Sequence, residues 1–84
     1  MKLDFQTRFA VRQMDSVRLH HFIQELRQYS TTVDVNEWLK EAGAVRLRRM
    51  SCKGETGYLY QLLSGDLFWS RLDGLSYVLY PLSQ

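Results

Sequence analysis

Four basic side chains, Arg46, Arg48, Arg49 and Lys53, fall in a stretch that carries no acid between Glu41 and Glu55. Arginine outnumbers lysine eight to three across the chain. A guanidinium is a planar fork that grips carboxylate or phosphate in two places and stacks on aromatic rings. Strand alternation would put Arg46 and Arg48 on one face, with Tyr58 and Tyr60 on the neighbouring strand. Basic residues beside aromatics suit an acidic protein surface, or the phosphates and bases of RNA. The same letters also describe a solvated edge strand charged against aggregation.

Catalytic and metal chemistry find less to work with. His20 and His21 are adjacent, and neighbouring helical residues point about 100° apart, whereas two helical ligands need i, i+3 or i, i+4 spacing. His21 and Glu25 have that spacing, but the only further ligand type in view is the distant, lone Cys52. Cys52 has no base beside it in sequence and reads as an inert thiol on a strand. Asp66 and Asp73 sit in turns, where aspartate bonds its own backbone. A glycine-rich phosphate loop and an acyl-transfer signature are both missing from the sequence. The expectation is a non-enzymatic chain with no metal and no cofactor.

The elements that position these residues follow from periodicity. Leu3, Phe5, Thr7, Phe9 and Val11 alternate with polar residues, which predicts a half-buried strand. Leu19, Phe22, Ile23 and Leu26 have helical spacing, with Asp15 as N-cap and an end near Tyr29. A second, short helix starts at a capping box, Asp34 and Glu37, with Val33 and Trp38 as a hydrophobic staple and Gly43 as its C′ residue. Four strands follow: one from Val45 with a bulge expected at Arg48-Arg49, then Tyr58–Leu63, Leu67–Leu72 and Leu75–Tyr80. Asp73-Gly74 marks the last hairpin, and Pro81 ends the pairing. The predicted fold is a single α+β domain over 1–84, strand–helix–helix–four-strand antiparallel meander, with helices on one face of the sheet.

Composition narrows the class. Eighty-four residues with a net charge of +2 exclude an acidic DNA mimic and do not indicate a strongly basic nucleic-acid binder. One cysteine excludes an internal disulfide framework. No apolar run approaches the ~18 residues of a membrane span, and Met1-Lys2-Leu3-Asp4 is no signal peptide, so a cytoplasmic protein that meets no membrane is expected. Six of the eleven aromatic residues lie between Tyr58 and Tyr80, on strands that are apolar on both faces. Two helices cover one face only. Unless the first strand and the loops wrap the second face, it is expected to meet a protein partner or a second copy of the chain. The expected contact residues are Tyr58, Tyr60, Trp69 and Tyr77, with Arg46, Arg48, Arg49 and Arg71. RNA is the other candidate, through the Arg46–Lys53 strand. A chain of this size and character suits a small regulator or inhibitor, of the kind that phages and plasmids carry.

The stretch Leu63-Ser64-Gly65-Asp66-Leu67-Phe68-Trp69-Ser70-Arg71 resembles the Trp-x-Arg strand of the RelE/ParE toxin superfamily, and Tyr77-Val78-Leu79-Tyr80 resembles the strand that follows it. The resemblance implies a ribosome-dependent endonuclease acting on messenger RNA. Arg71 would stabilise the phosphate, and Arg46, Arg48 and Arg49 would form the basic surface. Tyr77 stands where that family usually carries an arginine.

Overall fold

The computed structural model describes residues 5–30 and 32–80. Three helices, α1 (Phe5–Arg12), α2 (Ser16–Tyr29) and α3 (Val35–Glu41), precede four strands, β1 (Val45–Cys52), β2 (Glu55–Gln61), β3 (Leu67–Arg71) and β4 (Tyr77–Tyr80). The strands form one antiparallel meander in the order β1-β2-β3-β4. The α+β class and the meander agree with the sequence, but the expected first strand is the helix α1. Its intervening positions, Gln6, Arg8, Ala10 and Arg12, are good helix formers, and an alternating pattern makes a strand only where a sheet accepts it. Wound as a helix, the segment buries Val11 in the core and leaves Phe9 59 % exposed. Arg8 reaches Glu41 of α3 at 3.5 Å. Leu3 and Asp4 of the expected strand, and the stop at Pro81, lie outside the described residues.

α2 begins as its sequence indicates. The Asp15 carboxylate accepts the Arg18 N–H at 2.9 Å, and a second carboxylate, Asp66, accepts the Ser16 N–H at 2.8 Å from the β2–β3 loop. Two of the helix's free N–H groups thus meet negative charge, which the helix dipole favours. Asp66 does more than shape its own turn, because it ties the sheet to α2. Asp66→Ala is expected to cost about 1–2 kcal/mol, read as a lower midpoint in urea at unchanged slope.

α3 is capped by Asp34, whose carboxylate accepts the Asn36 N–H at 3.0 Å. It ends in a Schellman motif around Gly43, at φ +76, with Gly43 N–H donating to Lys40 O and Ala44 N–H to Leu39 O, both at 3.0 Å. Val35, Leu39 and Ala42 point into the core, and Trp38 packs edge-on to Phe22 with centroids 4.8 Å apart. The helices cover the sheet face that presents Tyr60, Leu62 and Phe68, with Tyr58, Tyr77 and Leu79 around them.

Candidate binding surface

β1 is an edge strand: among the described residues it pairs with β2 alone. Its first five residues, Val45 to Arg49, are all exposed. The β1–β2 register shifts between Arg46 and Arg48, so the bulge falls at Leu47, one residue before the expected place. That position corrects the expected facing of the arginines. Arg46 opposes Tyr60 and Arg49 opposes Tyr58, on the helix-covered side, while Arg48 opposes Leu59 on the other side. Arg46 and Arg48 therefore do not share a face. The bulge spreads guanidinium groups over both sides of one edge and leaves the aliphatic Leu47 outside the alternation.

The side chains along this edge are held by few partners. The Arg46 guanidinium lies over the Tyr58 ring, 4.1 Å from its centroid, an arrangement worth about 0.5–1 kcal/mol at exposed sites. Both residues border a cleft of about 570 Å³ between α3 and the sheet, together with Lys40, Glu37, Asn36 and Tyr60. The Tyr60 hydroxyl donates to Asn36 Oδ1 at 3.3 Å, and Asn36 Nδ2 donates to Leu72 O at 3.1 Å, so the cleft floor is fixed by bonds from α3 to β2 and to the loop after β3. Three large apolar side chains near β1 are also open to solvent: Val45 58 %, Leu47 46 % and Leu63 56 % exposed. The turn after β1 places Lys53 at φ 53 and Gly54 at φ 83, the positive-φ pair of a tight type I′ hairpin.

The remaining candidates are placed elsewhere. Trp69 is only 2 % exposed. Its ring lies across Gly57, where an added Cβ would come within 2.6 Å of Cε2 and Cζ2, and its Nε1–H donates to Met50 O at 3.1 Å. The face opposite the helices thus folds its largest ring down onto the strand glycine instead of presenting it. Tyr60 is buried as well. Tyr77 stacks on Phe68 at 5.1 Å with its ring planes 16° apart. Its hydroxyl meets His20 Nδ1 at 2.9 Å and accepts from Gln24 Nε2 at 2.5 Å, so it locks α2 to the sheet. Of the four expected aromatic contacts, only Tyr58 joins the arginine edge as an accessible ring. Gly57 lies two register positions from Leu59, the residue that opposes Trp69, and a strand glycine so placed is the one signal in the sequence that could have shown where the ring goes.

Arg71 is also committed. Its Nη2 pairs with Asp73 at 2.5 Å and its Nη1 with Glu55 at 2.9 Å. The hydrogen bonds to Asp73 and then Glu55 raise the guanidinium above its ordinary value. The Arg71 bond, followed by the Leu75 N–H, holds the Asp73 carboxyl below its ordinary 3.8. A depressed carboxyl contributes stability above its ordinary value and loses it as pH falls through the lower, folded value. The raised arginine loses its share only in strong alkali. The melting temperature is therefore expected to fall below about pH 4. Asp73→Asn should flatten that acid limb and leave the neutral plateau lower.

Among the described residues no group of three or more His, Cys, Asp or Glu is placed to hold a metal ion. No helix among them is long and apolar enough to cross a membrane. The chain matches no protein-family model, and neither curated proteins nor solved structures give a match to it.

Proposed function

We propose that this chain is a non-enzymatic protein-binding module that holds an acidic partner through the β1 edge, acting as a regulator or inhibitor does, by occupying its partner's surface. The observation that carries this reading is the exposure of Arg46, Leu47, Arg48 and Arg49 on an edge strand, next to the exposed Val45 and Leu63. Protein interfaces concentrate energy in arginine and aromatic residues, and aliphatic contacts around them exclude water. RNA recognition instead asks for free rings on which bases stack. Trp69 and Tyr60 are buried, Tyr77 is stacked on Phe68, and Tyr58 already carries Arg46. For the ribonuclease reading, a phosphate would have to compete for Arg71 with two carboxylates.

The test is capture of partners from the native host, with and without nuclease, comparing the wild type with a chain whose β1 arginines are replaced. The reading requires a protein that is retained after nuclease and lost with the arginines. Retention that nuclease abolishes would overturn it in favour of nucleic acid.

A further inference from the structure

We propose that β1 receives an extended acidic segment of the partner as a fifth strand of the sheet, with consecutive acids set against Arg46, Arg48 and Arg49. This rests on the reading of β1 as a protein-binding edge and specifies the chemistry of what it binds. An edge strand offers a row of backbone N–H and C=O groups that another extended chain can pair, while side chains decide which chain it is. β1 has eight residues, an edge of roughly 26 Å at the usual rise per residue.

Charge chooses the occupant. A second copy of β1 laid against the first would bring arginine opposite arginine, and like charges directly opposed are destabilising. An acidic strand meets the same groups with opposite sign, so the feature that excludes self-pairing selects the partner. The bulge sets the pattern of acids. On the β2 side, three contiguous residues, Tyr60, Leu59 and Tyr58, oppose Arg46, Arg48 and Arg49. An added strand that skips Leu47 as β2 does meets the same alternation, and three consecutive acids on it then reach all three guanidinium groups, two on one side and one on the other. The Arg46 end of the segment borders the cleft that Lys40 lines together with Asp34 and Glu37, whose carboxylates offset that cation, so the first of these acids is held by Arg46 alone. Val45 and Leu47, both exposed, receive an aliphatic residue at that end of the segment.

The probe is a fluorescent nine-residue peptide carrying three consecutive glutamates flanked by valines, titrated against the intact chain in low salt. Its glutamine counterpart is expected to bind at least about tenfold more weakly. Two N-methylated versions, methylated on alternate residues in opposite phase, carry the same charges. Every second N–H of an added strand faces its neighbour. One phase is therefore expected to abolish binding, and the other to bind as the parent does. Hydrogen exchange should slow at β1 amides and not at β4.

Equal binding by both methylated phases would overturn strand addition and leave the acidic protein partner standing. Failure of the glutamate peptide at millimolar concentration overturns it too. In that case the proposed function is judged separately, by whether a captured protein depends on the arginines. Tighter binding of an oligouridylate than of the peptide, or a dimer in sedimentation without peptide that Arg48→Glu disperses, would each overturn the proposal by naming a different occupant.

Discussion

Replacing Trp69 by alanine is expected to lower the melting temperature by about 12–40 °C. Truncating a buried tryptophan costs about 3–5 kcal/mol, and each kcal/mol moves the midpoint of a domain this size by about 4–8 °C. A chain of 84 residues has only some 4–13 kcal/mol of stability to lose. Three contributions go together at this site: the area of the ring, the cover it gives to Gly57, and the Nε1–Met50 bond. Trp69→Phe separates them, because it keeps a ring over Gly57 and removes the donor. Its expected cost is near 1–2 kcal/mol, mostly from the unpaired Met50 carbonyl and the smaller ring. Calorimetry of the two variants beside the wild type checks the order. A Trp69→Ala protein that melts with the wild type would mean that the ring contributes no packing, contrary to its burial.

Local signals in the sequence located most of the helical layer and the meander. Asp15, Asp34 and Gly43 mark helix ends through bonds made within a few residues of themselves, so their chemistry is legible without the fold. The first helix was not legible, because the alternation of Phe5, Thr7, Phe9 and Val11 specifies a strand only if a sheet edge is there to pair with it. The bulge was visible as a slip of phase, yet its place at Leu47 depends on where β2 pairs. One residue of displacement moved Arg48 to the opposite face of the sheet from Arg46. The aromatic residues show the same limit. Counting rings on strands overestimates what a sheet exposes, since Trp69 lies down on a glycine two strand positions away in register and Tyr77 is taken up by His20, Gln24 and Phe68. The arginine strand was legible because charge on an edge is decided by residue type, and burial there has little to change.

Partner binding is expected to fall by about 100-fold or more when Arg46→Gln, Arg48→Glu and Arg49→Glu are combined. Glutamine is the choice at Arg46 because Asp34 and Glu37 line the same cleft and would repel a carboxylate. A hundredfold is about 2.7 kcal/mol, less than the several kcal/mol that juxtaposed like charges cost when two attractions become repulsions. The fold should survive, since all three side chains are exposed and the loss is confined to the Arg46–Tyr58 contact. Unchanged melting beside lost binding is the result required. Salt gives an independent reading: raising ionic strength toward 1 M shortens the screening length to about 3 Å and should slow wild-type association far more than that of the variant. Arg46→Lys then asks what the partner reads. Lysine keeps the charge but gives up the planar fork held over Tyr58, so a weakening of about fivefold or more is expected, against little change for Arg49→Lys. If Arg46→Lys bound as the wild type does and only the triple variant failed, the partner would be reading positive charge alone, and the stacked geometry over Tyr58 would have no part in recognition.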